Sequence, residues 1–268
     1  MADITVATED GQHLQARLYA PTQAGQYPAL VAVHGGGWQR NNLDYYRHWG
    51  PWLASHGYVV LAVTHRLSTD QHPGFPTAIK DVQSAVRHVR ANAEELSVDS
   101  DRIALMGDSS GAHLVSLAAL AGPRWDASGA QVSADVKAVV CVYGIFDLVR
   151  QWQHDLVARP RDPICQRLLG VSLLDDRRAY FDASPLSYVS ARSNAVSFLL
   201  AWGDADTTVD GQAQSAVFLQ ALRQAGHFAR ELIIPGAAHF WIGDALDEPH
   251  SNSAVLAPAL LRFLRARL

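Results

Sequence analysis

At 268 residues with 49% hydrophobic content, the chain is long enough for one large α/β domain or two small ones, and apolar enough for a sizeable core. Its formal charge of −4, with the lysines and arginines scattered, offers no basic face for nucleic acid. The opening Met1-Ala2-Asp3-Ile4-Thr5-Val6 lacks a basic segment followed by an apolar core, and no run is long enough to span a bilayer, so a cytoplasmic protein with no membrane partner is expected.

In chain order, the first strong element is the β-rich run Ala29-Leu30-Val31-Ala32-Val33, followed directly by His34-Gly35-Gly36-Gly37-Trp38. Three glycines leaving a buried strand let the backbone pass close to a ligand and aim N–H groups into a cleft. We assign oxyanion donors to the N–H groups of Gly36, Gly37 and, further along, Ser110; His34 is read as structural. Trp38, Arg40, Asn41, Asn42, Tyr45, Tyr46, Trp49 and Trp52 then form an aromatic-rich excursion over the site that ends in a helix. At least half of these aromatics are expected to pack the helix on the sheet, and Trp38, with Trp241 near the other end of the chain, is expected to wall the substrate pocket.

The apolar run Ile103-Ala104-Leu105-Met106 leads into Gly107-Asp108-Ser109-Ser110-Gly111 and then into a helix over Ala112-His113-Leu114-Val115-Ser116-Leu117-Ala118-Ala119-Leu120. A serine between two glycines at a strand-to-helix turn is a nucleophile elbow. The turn is so sharp that side chains two before and two after the serine would collide, and it places the Ser109 hydroxyl at a helix N-terminus that favours negative charge. Alone, the pattern also fits a glycine-rich turn whose serine merely caps a helix, so its partners decide.

Ala138-Val139-Val140-Cys141-Val142-Tyr143 reads as a strand. Cys141 there and Cys165, placed in a later loop, lack the spacing of a redox or zinc pair, and both are expected reduced. Residues 146–184, with Trp152, His154, Arg159, Pro160, Arg161 and Pro163, are too long for an ordinary connection. They are expected to hold one helical excursion and a small lid, or else a solvated face. Ala195-Val196-Ser197-Phe198-Leu199-Leu200-Ala201-Trp202 is a buried parallel strand, and Gly203-Asp204-Ala205-Asp206-Thr207-Thr208-Val209-Asp210 is the loop leaving it. We assign the catalytic acid to Asp206, with Asp204 and Asp210 as rivals, since spacing alone does not say which carboxylate turns inward.

Ala229-Arg230-Glu231-Leu232-Ile233-Ile234 is the last strand, and His239 lies on the loop beyond it, where it would accept the Ser109 proton and return it to the leaving group. Of the other histidines, His227 and His250 are read as exposed. No internal repeat or low-complexity linker divides the chain. Residues 1–268 therefore read as one domain, a mostly parallel sheet with helices on both faces. The histidines and carboxylates do not cluster at metal-ligand spacing, and neither metal nor cofactor is expected.

His34-Gly35-Gly36-Gly37-Trp38, the helix opening Phe75-Pro76-Thr77-Ala78-Ile79-Lys80-Asp81-Val82, the elbow, Gly203-Asp204-Ala205-Asp206 and Gly236-Ala237-Ala238-His239 together resemble α/β-hydrolases of the hormone-sensitive-lipase-like and acetyl-esterase group, over nearly the whole chain. Ser110-Gly111-Ala112-His113-Leu114 also resembles the matching segment of arylformamidases (kynurenine formamidases). The order Ser, Asp, His is that of α/β-hydrolases. The resemblance implies the α/β-hydrolase fold with a small lid, a triad of Ser109, Asp206 and His239, and an oxyanion hole at the glycine run. Two positions depart from the group: Ser110 stands where many members have alanine, and Trp202 where many have histidine, a change expected to reshape the pocket wall. The expected activity is that of a serine carboxylester hydrolase acting on small to medium acyl or aryl esters through an acyl-enzyme. An aryl-formamide hydrolase with the same triad is the alternative, and a non-catalytic ligand-binding protein of this fold a third reading. The expected partner is a small-molecule ester, with a homodimer left open.

Overall fold

In a computed structural model, which describes residues 1–125 and 131–268, eight strands form one sheet: β1 (Ala2–Ala7), β2 (His13–Tyr19), β3 (Tyr27–Val33), β4 (Val59–Val63), β5 (Val98–Asp108), β6 (Ala138–Val142), β7 (Ser197–Gly203) and β8 (Ala229–Ile234). Their spatial order is β1-β2-β4-β3-β5-β6-β7-β8. β1 and β2 pair antiparallel with their neighbours, and every pairing from β4 to β8 is parallel. The central strands are the ones read from continuous apolar runs, as parallel strands buried on both faces must be.

The two-residue period of a strand sends alternate side chains into different layers. From β3, Val31 and Val33 join a core with α2 (Thr77–Ala91) and α3 (Ser110–Trp125), while Leu30 and Ala32 join a second core with α1 (Trp49–Ser55) and α8 (Asn252–Arg267). Each fully buried Val or Leu contributes about 1.5–3 kcal/mol relative to exposure. Among the described residues no helix is long and apolar enough to cross a membrane.

The 146–184 segment folds as three short helices, α4 (Leu148–Ala158), α5 (Ile164–Leu169) and α6 (Arg177–Asp182), rather than one. Asp147 and Asp176 accept first-turn N–H groups and so start α4 and α6. Gly170, at φ 73°, closes α5 in the left-handed conformation. Cys165 lies in α5 and not in a loop; its side chain is buried with Ile164 and Leu168 against the core. His227 is also corrected. It is 4% exposed, its Nδ1 faces the Val196 carbonyl at 2.9 Å, and its ring packs edge-on to Phe198, because the turn containing it folds back on the start of β7.

Candidate active site

Strand β5 delivers Ser109 to the sheet's C-terminal edge at φ 51°, a left-handed conformation that costs a non-glycine residue energy and is held here by its surroundings. The Ser109 N–H donates to Val142 O at 2.8 Å, locking the turn onto β6. A Cβ on Gly107 would sit 2.6 Å from backbone atoms of Gly111, and one on Gly111 would run into the carbonyls of Val33 and His34. Both flanking glycines are therefore required by close backbone approach, and β5 must pass straight into α3.

The loops after β7 and β8 bring two further side chains to this point. His239 Nε2 lies 2.9 Å from Ser109 Oγ, and His239 Nδ1 lies 2.5 Å from Asp206 Oδ2. A carboxylate only accepts, so Nδ1 carries the ring proton and Nε2 is left to accept from the serine hydroxyl. Asp206 Oδ1 accepts the N–H groups of Thr208 and Val209 at 2.8 and 3.0 Å, which aims Oδ2 at the histidine. Its rivals serve local structure: Asp204 accepts from Gly236 N, and Asp210 caps the following helical turn at Gln212 and Ala213. Tyr143 supports the imidazole from one side, with ring centroids 4.3 Å apart.

Gly36 and Gly37, at φ 126° and 62°, border the same cavity as Ser109 and His239. Among the described residues neither glycine N–H finds an acceptor. Ser110 sits at the first position of α3, where an N–H has no intrahelical partner. Its side chain has a task that the sequence did not signal: Ser110 Oγ accepts from Trp38 N at 3.2 Å and ties the glycine loop to the elbow. Asp108 adds a second tie. It is fully buried, with Oδ1 accepting from Gly35 N at 3.0 Å and from Tyr46 Oη at 3.1 Å, and burial pushes its carboxyl up to about 7. Its place inside the elbow motif was the only signal available.

The expected pocket tryptophans do not line the cavity. Trp38 is 0% exposed: at φ 61° its backbone turns the indole away from the cleft, where Nε1 donates to His113 Nδ1 at 3.2 Å. His113 in turn directs Nε2 to the Ala183 carbonyl at 2.7 Å, tying this core to the end of α6. Trp241 packs edge-on against Tyr143 at 5.1 Å and is buried in the second core. Trp202 is buried as well, its Nε1 donating to Glu231, so the pocket wall is not reshaped at that position. The cavity, of about 150 Å³, is instead bordered by Tyr45, Ile145, Ile164, Val209 and Phe240, together with Gln39, Arg40, Gln151, Arg159, Asp162 and Thr208. Phe240, 63% exposed and held at φ 69°, stands at its edge beside His239. Among the described residues no group of three or more His, Cys, Asp or Glu side chains is placed to hold a metal ion.

The model of the BD-FAE family matches residues 17–222, a span that includes Ser109 and Asp206 and ends before His239. An ethyl acetate hydrolase of Pseudomonas putida is 29% identical over 286 residues, covering 98% of this chain and 83% of that protein. The probable carboxylic ester hydrolase LipM of Mycobacterium tuberculosis is 32% identical over 204 residues, covering 75% of this chain but only 46% of its own length. Among solved structures, esterase 2 of Thermogutta terrifontis superimposes in its sarin-phosphonylated form with TM-score 0.82 at 24% identity, covering 99% of this chain and 94% of that one. Its propionate-bound form gives TM-score 0.80 at 23% identity, with 99% and 94% covered.

Proposed function

Since the chain belongs to the BD-FAE family and has the α/β-hydrolase fold, we propose that it is a serine carboxylester hydrolase acting on small to medium acyl or aryl esters. The observation that carries this reading is the unbroken relay from Asp206 Oδ2 through His239 to Ser109 Oγ, at 2.5 and 2.9 Å, opening onto a cavity bordered by Gly36 and Gly37. His239 takes the Ser109 proton as Oγ attacks the ester carbonyl. The N–H groups of Gly36, Gly37 and Ser110 receive the oxyanion, each contributing about 3–4 kcal/mol to the transition state. His239⁺, held by Asp206, then protonates the departing alkoxide, and water repeats the steps to release the acid.

A cavity of about 150 Å³ takes a group of roughly benzene size beside Ser109. The propionate- and butyrate-bound forms of the Thermogutta esterase, and the hydrolysis named for the Pseudomonas relative, support small substrates. In this reading residues 1–268 act as one domain, and α4 to α6 form a small cover over the cleft.

The test is turnover of p-nitrophenyl acetate by the wild type and Ser109→Ala, with a fluorophosphonate probe reporting on the hydroxyl. We expect labelling of wild type only and a loss of about 10⁶ in kcat for the variant. Turnover retained in the purified variant would exclude this mechanism, and faster cleavage of N-formylkynurenine than of aryl acetates would move the assignment to a formamide hydrolase.

A further inference from the structure

The loop that carries His239 continues into a side chain that packing does not account for. His239 is fixed by Asp206, and beyond Phe240 the chain is fixed again: the Trp241 carbonyl accepts from Ser253 Oγ at 2.8 Å, the Ile242 N–H donates to Tyr143 Oη at 3.2 Å, and the side chains of Trp241 and Ile242 are buried. Phe240, between these anchors, turns through the left-handed region at φ 69° and ψ 22°. Glycine or asparagine holds such a turn at lower cost, and a bulky residue there is an outlier. Nor does the Phe240 ring serve as core, since it is 63% exposed. A strained backbone that presents an aromatic ring to the opening, one residue after His239, points to a use for that ring in binding.

The ring stands edge-on to the His239 imidazole, with centroids 4.4 Å apart and planes at 86°, and it borders the cavity that holds Ser109. Tyr143 also lies against the imidazole but is 1% exposed, so Phe240 is the ring beside His239 that a ligand can reach. Tyr45, a second aromatic on the cavity wall, comes to the same side: its Cδ1 lies 3.8 Å from where a Cβ on Gly243 would stand. Ile145, Ile164 and Val209 reach the wall from other segments and are aliphatic. The aromatic surface therefore lies on the histidine side of the cavity. In ester cleavage that side belongs to the leaving group, because the departing oxygen must come within hydrogen-bond reach of His239 Nε2 to receive its proton. Whatever is bonded to that oxygen lies alongside Phe240.

Resting on the ester-hydrolase reading, we infer that Phe240 is a specificity-determining residue for the alcohol half of the substrate, and that the preferred esters carry an aromatic ring on that half. An exposed phenyl ring offers its face or edge to a flat partner, a fit that a saturated ring of the same size lacks. Two matched pairs test this: benzyl acetate against cyclohexylmethyl acetate, both esters of primary alcohols, and ethyl phenylacetate against ethyl cyclohexylacetate, which carry the same rings on the acyl half. The expected result is a preference of roughly 3- to 10-fold in kcat/KM for benzyl acetate, the size of one aromatic pair, with a smaller ratio in the acyl pair. In Phe240→Leu, which keeps apolar bulk without the aromatic face, the benzyl preference should fall toward one, and Phe240→Tyr should retain it. A ring that merely props His239 would lower kcat for both acetates alike and leave their ratio unchanged in Phe240→Leu, which overturns the proposal. A wild-type benzyl ratio at or below one overturns it too, as does an equal or larger preference in the acyl pair, or failure of all four esters with Ser109 still labelled by a fluorophosphonate. Failure of all four together with failure of labelling would instead overturn the ester-hydrolase reading.

Discussion

The carboxylate one residue before Ser109 ties the glycine loop to the elbow. Asp108 accepts from Gly35 N and Tyr46 Oη in a fully buried setting; its removal strands the Gly35 N–H, while Tyr46 Oη keeps the Val33 carbonyl at 3.2 Å. A stranded buried donor costs about 1–3 kcal/mol. Asp108→Ala should therefore lower stability by roughly 1–3 kcal/mol, read as a shift in urea midpoint, whereas Asp108→Asn, which keeps an acceptor in place, should lose much less. Equal losses in the two variants would show that volume and not hydrogen bonding decides. Asp206→Asn probes the other carboxylate: its amide favours the wrong imidazole tautomer, and kcat should fall about 10⁴-fold with the fold unchanged. Residues of this kind were legible in part. Ser109, Asp206 and His239 announce themselves through glycine-flanked loops after strands, whereas Trp38 misleads, because its left-handed backbone, invisible in composition, turns an aromatic next to the glycine loop into core.

Elements bear out the same division between what local pattern carries and what docking decides. The limits of β8, an edge strand, match the sequence reading, and β6 and β7 match theirs within two residues, since a parallel strand buried on both faces has to be apolar throughout. The strand β5 runs further back than its apolar stretch, to Val98, because its polar beginning Asp99–Arg102 lies at the sheet's rim, where a reading by hydrophobicity stops. Nothing local marks Gln151 as a cavity residue: its helix is short and amphipathic, and only the docking of α4 against the loop after β7 turns that face toward Ser109. The elbow is the opposite case, since the backbone of β3 lies against Gly111 with no room for a methyl group. Gly111→Ala must push β3 and α3 apart. It should lower both the thermal midpoint and kcat by displacing Gly36 and Gly37 from Ser109, and a variant with full kcat would show that this contact is compliant.

Across the whole molecule, buried titratable groups set the response to acid. His34 and His65 stack with centroids 5.1 Å apart behind the glycine loop, and His113 lies under Trp38; all three are buried. Burial holds the His65 imidazole down at about 3 and that of His113 at about 4, and lowers His34 in the same sense. Between those values and the ordinary 6.5 the unfolded chain binds protons that the folded protein refuses, so acidification through this window favours unfolding. Asp108 acts in the opposite sense. Raised from 3.8 to about 7, it holds a proton in the folded state that the unfolded chain has released, and stability from this group falls as pH rises toward 7. From pH 6.5 down to about 5.5 these histidines outnumber Asp108, and this group of buried residues loses stability with acid. Urea midpoints measured across that interval should fall as pH falls. Replacing His65 by a non-titrating residue of similar volume, such as Gln, should flatten the dependence even if it lowers stability at pH 8. A slope unaltered by His65→Gln would assign the acid response to groups outside this buried cluster.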